Sequence, residues 1–438
     1  MPPHPSDPVA PARPTTDLSV TDRTPTGRTS GAPAGGDHDS PGLPGRLLLT
    51  LALLTSVAPF ATDMYLPAFP TMAAELGTSA SGIQLTLTAF LVGLGLGQLV
   101  VGPLSDQRGR RGLLLLGTAV TVLAGVVCAL APSIGVLTAG RFVQGLAGAS
   151  GIVLARAVVT DVSRGAAAAR AFSLLMVVQG VAPVVAPLVG SVLFTSLGWR
   201  SVFWALTALA LLMLVGAALV VHETLPPEQR STGGGARLRA DVARVLRTPG
   251  YVAHLLVFVF SFGSFFAYIS ASPFVLQTML GLSTTQYSIA FAVNAVGIIV
   301  ASATAGRLVG RTGPLVLVRT GAAAMGLGGL VLLVLALTGA VSLWPVLGAL
   351  LLVVVGLGLV AGNATMLAMA QVPGASGSAS ALLGAAQFLL AALVSPLVGV
   401  AGESTMTPMA VVMVASSAVV GLGLLLARRA DRAAQARD

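Results

Sequence analysis

Twelve apolar stretches, each long enough to cross a hydrocarbon core, are separated by short polar breaks. They span roughly 46–69, 83–103, 113–131, 135–159, 171–195, 201–221, 251–274, 287–306, 315–337, 343–368, 379–400 and 408–427. The pattern predicts an all-α membrane protein of twelve transmembrane helices, arranged as two six-helix bundles. The longest internal polar segment, 222–250, falls between the sixth and seventh stretches. It divides an N-terminal bundle, 46–221, from a C-terminal bundle, 251–427, and serves as a linker. Within it the run Arg237–Arg247 reads either as a short amphipathic helix on the membrane surface or as a plain solvated connection.

Composition sharpens this picture. The chain has 438 residues, of which 55% are hydrophobic and 9% charged, against about a quarter charged in a soluble domain. Residues 1–45 are rich in Pro, Thr, Ser, Gly and Asp, and cannot bury enough apolar surface to fold. They read as a disordered tail, and 428–438 as a second polar tail. The net charge of +9 suggests nucleic acid only until the arginines are located. With the N-terminus inside, the inner loops and the C-terminal tail hold nearly all of them, and the outer loops hold Arg200 alone. That asymmetry orients a multi-pass protein in the inner membrane with both termini cytoplasmic, and it removes the case for a nucleic-acid partner. Cys128 is the single cysteine, so no internal disulfide forms. The histidines are scattered, which gives no metal site. The absence of lysine excludes a Walker phosphate loop, so no cofactor is expected.

The densest motif is GPLSDQRGRRG at 102–112, between the second and third stretches. Gly102, Asp106, Gly109, Arg110 and Arg111 read as a hinge loop at the membrane surface. Asp106 either caps the following helix or pairs with Arg156 at the inner end of the fourth stretch, as a latch on the inner side; Arg156 has Asp161 as its other candidate partner. Gly306, Leu308 and Gly313 repeat Gly102, Leu104 and Gly109 at a constant offset of 204 residues, although Gly310 replaces the acid. The halves are therefore related by internal duplication, an arrangement that places a substrate site between them.

Two charges lie inside predicted helices. Asp63 sits in FATDMYLPAFP, and an ionisable group in a spanning helix is costly and a functional candidate by default. Protonation removes that charge and most of the cost. Pro67 and Pro70 follow and break the helix, freeing backbone carbonyls. Arg141, in RFVQGLAGASG, stays charged, so its burial requires partners. At 1.5 Å per residue both groups lie roughly 10 Å below the outer surface, so they either face each other across a cavity or pair through water. Gln144 follows Arg141 by one helical turn. Pro183, Pro187 and Gly190 put a bend in the fifth helix. Tyr65, Gln144, Gln179, Phe266, Tyr268, Asn294, Asn363 and Gln387 are candidates for lining a substrate cavity. No group of titratable residues supplies a nucleophile with its base, which argues against an enzyme.

TDMYLPAFP, GPLSDQRGRRG, RFVQGLAGA and APVVAPLVGS occur in the order found in drug:proton antiporters. The chain resembles the bicyclomycin/chloramphenicol-resistance (Bcr/CflA) branch of the major facilitator superfamily. The resemblance implies an efflux carrier that exchanges protons for a small drug-like compound, with Asp63 and Arg141 in proton coupling. It departs from the antiporter pattern in the fifth helix, where Ala186-Pro187 and Gly190-Ser191 each keep one glycine or proline of the usual pairs. A proton-coupled importer of a small nutrient is the alternative function, and a non-transporting receptor or scaffold a more remote one.

Overall fold

A computed structural model of the chain describes residues 43–230, 242–373 and 376–435. The disordered-tail reading of 1–45 falls almost wholly outside them, as does the first part of the Arg237–Arg247 run. The described residues are helical almost throughout, with no strand among them. Twelve helices are long and apolar enough to span a membrane. In chain order they are α1 Gly45–Glu75, α2 Ala80–Arg108, α3 Arg110–Ala129, α4 Ile134–Val162, α5 Gly165–Leu197, α6 Trp199–Val220, α7 Pro249–Met279, α8 Thr284–Thr312, α9 Pro314–Thr338, α10 Leu343–Ala370, α11 Ser376–Leu397 and α12 Thr407–Gln435. Large apolar side chains such as Leu197, Leu219 and Trp344 stand exposed on the outside, as they must where lipid is the solvent.

Helices α1–α6 pack among themselves, as do α7–α12, and the two bundles meet along α2 with α11 and α5 with α8. One end of the molecule carries the arginines of the last turns of α2, α8 and α12 and of the α2–α3 and α4–α5 junctions; the other carries Arg200. They are called here the arginine-rich and arginine-poor ends. In α4, Gly145 lets the helix lie directly against α2, because a Cβ there would overlap the Phe90 carbonyl oxygen.

The internal duplication is deeper than the sequence motif suggested. Gly109 (φ 97°) and Gly313 (φ 79°), 204 residues apart, turn the chain between α2 and α3 and between α8 and α9. Each amide bonds the carbonyl four residues back, Ser105 and Val309, at 2.9 Å. The same offset relates Ser79 and Ser283, whose hydroxyls cap the first turns of α2 and α8.

The hinge loop contracts to a single residue. Gly102, Pro103 and Asp106 lie inside α2, and Arg110 and Arg111 already open α3, so Gly109 alone turns the chain. Charge ended the apolar stretch at 103 but not the helix, because Asp106 and Arg110 meet one turn apart and stabilise the junction. Helix α12 likewise continues through the arginines beyond 427 to Gln435. Of the linker's amphipathic run, 242–246 is a short helical turn that buries Val245 and exposes Leu246.

Helix α5 is continuous through Pro183 and Pro187, and Gly190 places its backbone against α1. A Cβ on Gly190 would collide with the Met64 carbonyl oxygen. Gly190→Val is therefore expected to destabilise the protein by about 1–3 kcal/mol, the cost of overpacking a filled contact. A lowered unfolding midpoint of the purified variant checks this.

Candidate functional site

Helix α1 is not one helix. It runs as Gly45–Thr55 and Val57–Asp63, unwinds at Met64 and Tyr65, makes a 3₁₀ turn at Leu66–Ala68 and resumes at Phe69–Glu75. Pro67 and Pro70 lack the amide protons an unbroken helix would need. Asp63 is thus the last helical residue before the break and is 3% exposed. Its Oδ1 accepts from Thr62 Oγ1 at 2.9 Å.

The break exposes the Ala61 carbonyl, and Arg141 of α4 takes it. Arg141 Nη2 donates to Ala61 O at 2.7 Å, and Nη1 donates to Gln144 Oε1 at 2.7 Å. The guanidinium carbon lies 4.5 Å from the centre of the Tyr65 ring and 4.3 Å from that of Phe90, with Phe203 at 5.9 Å. Tyr65 is fixed in turn by its hydroxyl, 3.2 Å from Thr86 Oγ1. Aromatic faces and two neutral oxygens hold this cation with 0% exposure.

Asp63 and Arg141 are therefore at one level, both buried, but they are not an ion pair. Among the described residues no cation lies within 4 Å of the Asp63 carboxylate. The acid is instead within electrostatic reach of Tyr268 and Tyr287 on the opposite bundle. Tyr268 Oη accepts from Asn294 Nδ2 at 3.0 Å and its ring stacks on Phe291 at 5.4 Å; the Tyr287 hydroxyl sits 3.2 Å from Ser272 Oγ. A buried carboxyl at a helix break in one bundle thus shares its electrostatic surroundings with two tyrosines of the other.

The remaining candidates divide. Phe266 joins the Tyr268 ring through Phe265, whose ring lies 5.7 Å from Phe266 and 6.3 Å from Tyr268. Gln179 is half-buried on α5, next to Gly180, which approaches Ile299 of α8. The Gln387 Oε1 is buried without a hydrogen-bond partner. Tyr65 and Gln144 are committed to Arg141. Asn363 donates to the Leu359 carbonyl of its own helix at 2.8 Å.

At the arginine-rich end the motif residues form a brace confined to the N-terminal bundle. Arg110 reaches Asp106 at 2.6 Å, Asp161 at 3.2 Å and Ser105 Oγ at 2.5 Å. Arg156 pairs with neither Asp106 nor Asp161; its Nε is buried without a partner. The residue that sequence reading missed is Glu223, just beyond α6. Its carboxylate accepts from the Arg110 and Arg111 amides at 2.8 and 3.3 Å, so it caps α3 from another part of the chain. Partial burial disfavours its charge, yet the amides of Arg110, Leu225, Arg111 and Thr224 outweigh this and hold the carboxyl below its ordinary range. A depressed acid stabilises the fold above its unfolded value and loses that contribution as pH falls through the folded one. Glu223→Gln is therefore expected to cost on the order of 1 kcal/mol at pH 7, the scale of a helix cap. The difference in unfolding midpoint from the parent should close as pH drops below about 4.3.

Residues 51–396 match the Major Facilitator Superfamily. The chain belongs to this superfamily. A relative in Bacillus subtilis, the MFS-type transporter YdgK, is 38% identical over 86% of this chain and 93% of its own length. The bicyclomycin resistance protein homolog of Haemophilus influenzae is 30% identical over 83% and 91%. Among solved structures, a D-xylose–proton symporter superposes with a TM-score of 0.70 over 86% of this chain and 97% of its own, at 17% identity, which establishes the shared fold. Relatives and fold are those of multi-pass membrane transporters of the major facilitator superfamily, not of enzymes.

Proposed function

We propose that this major facilitator is a proton-coupled exporter of a small, largely apolar drug-like compound in the plasma membrane. The carrying observation is Asp63: a buried acid without a cationic partner, at the helix break where the two bundles face each other. Such a group reaches neutrality by taking up a proton. In this reading it does so when open to the outside and gives the proton up when open to the cytoplasm. Arg141 is the positioning residue, since it holds the Ala61 carbonyl and so the break that presents the acid. Bundles 46–221 and 251–427 rock about the site, joined by 222–250. The arginine asymmetry supports cytoplasmic termini. The relatives named for antibiotic resistance support export of antibiotics.

The experiment is a panel of antibiotics, bicyclomycin and chloramphenicol included, against a pump-deficient host carrying the chain. Raised resistance to at least one compound that an uncoupler abolishes is expected. Accumulation of the compound inside cells that carry the chain would point to import instead. Resistance indifferent to the uncoupler would remove proton coupling.

A further inference from the structure

Helices α2 and α11 belong to opposite bundles and run side by side. At the arginine-poor end their contact is polar and buried. Gln84 Nε2 of α2 donates to the Ser270 carbonyl of the neighbouring α7 at 2.9 Å, and Ser395 Oγ of α11 donates to the Gln84 carbonyl at 3.4 Å. The Ser270 and Ser395 hydroxyls lie 2.7 Å apart. Exposure is 1% for Gln84 and 0% for both serines. Gly399 gives the Gln84 head its room, since a Cβ there would overlap Oε1. Two further bonds cross between the bundles, Ser81 Oγ to the Pro396 carbonyl at 3.5 Å and Gln277 Nε2 to the Pro67 carbonyl at 3.2 Å. These four side-chain hydrogen bonds between the bundles all lie at this one end.

We propose that Gln84, Ser270 and Ser395 form the latch that holds the arginine-poor end shut, and that α2 parts from α11 there when the carrier opens. This rests on the reading of the chain as an alternating-access carrier and adds the residues that gate one side of it. The chemistry suits a contact made to be broken. All three groups are uncharged, so parting them exchanges protein hydrogen bonds for hydrogen bonds to water at little net cost. The closed seam also leaves oxygens unsatisfied: Gln84 Oε1 and, one turn further along α2, Thr88 Oγ1 have no partner. Opening that admits water satisfies them. The contact of α2 with α4, in contrast, is backbone against backbone at Gly145. Gln84 is a positioning residue here, because it ties α2 to α7 and α11.

The test uses the full chain in detergent, with Cys128→Ser and a reporter, Thr88→Cys, labelled by a small water-soluble maleimide. Gln84→Leu keeps the bulk and removes the donor, and it should speed labelling about five- to tenfold, the scale of one net hydrogen bond. Ser395→Ala should act in the same direction, whereas Ser395→Thr, which keeps a hydroxyl, should label at the parent rate. A second reporter, Thr121→Cys, lies 3% exposed inside the N-terminal bundle and should stay protected throughout. Unchanged labelling at Thr88 in both Gln84→Leu and Ser395→Ala would overturn the latch. So would equal acceleration at Thr121, which would mean general loosening. Neither cargo nor a proton gradient is needed, so the result stands apart from whether Asp63 is the coupling acid.

Discussion

Arg141→Lys is expected to lower transport at least about tenfold although it keeps the positive charge. The guanidinium donates from two separate nitrogens to Ala61 O and Gln144 Oε1, and its carbon sits over the rings of Tyr65 and Phe90. An ammonium is a point charge that neither spans both acceptors nor stacks. The lost charged hydrogen bond is worth about 1.5–3 kcal/mol, enough to lower transport by at least about tenfold if the Ala61 carbonyl sets the geometry of the break. Arg141→Ala goes further, leaving a buried carbonyl and a buried amide oxygen without donors, at about 1–3 kcal/mol each. Transport in vesicles, beside the unfolding midpoint of each variant, checks both. Parent-level transport by Arg141→Lys would show that charge alone is needed at this position.

The second large effect belongs to Asp63→Asn. Asparagine has the shape of the protonated acid and cannot ionise. The variant should fold, bind cargo and exchange it across a membrane without a gradient. Uphill transport driven by a pH difference should vanish, while the parent accumulates cargo. Vesicles loaded with labelled cargo separate the two modes. Retained uphill transport would assign coupling to another group.

Much of this architecture was readable from the chain, for reasons that particular residues make plain. Apolar length gave the twelve spans, because a bilayer sets the length of what crosses it. Helix ends were less legible, since hydropathy marks the membrane and not the helix. Ser105–Arg108 leave the apolar region yet continue α2, and Gly102 and Pro103, which look like breakers, sit inside it. Depth was also legible: a fixed rise per residue puts Asp63 and Arg141 at one level. Direction around the helix was not. Arg141 turns toward Ala61, Tyr65 and Phe90 because α1 unwinds at Met64 and Tyr65, and three helices must be in place before that pocket exists. Glu223 was invisible for a similar reason. Its partners lie 113 and 112 residues away in sequence, and nothing local to HETLPP announces a cap for α3. The duplication was seen at Gly102, Leu104 and Gly109 and missed at Ser79 and Ser283, because lone serines are too common to count until both are seen capping helices.

The central claim is that Asp63 is the group that trades a proton for cargo. Purified protein in weakly buffered detergent, with a pH indicator, reports protons released when cargo binds; the cargo is whichever antibiotic the resistance panel identifies. About one proton per bound molecule is predicted for the parent near neutral pH, and none for Asp63→Asn at the same cargo occupancy. Equal release by the two proteins would contradict the account.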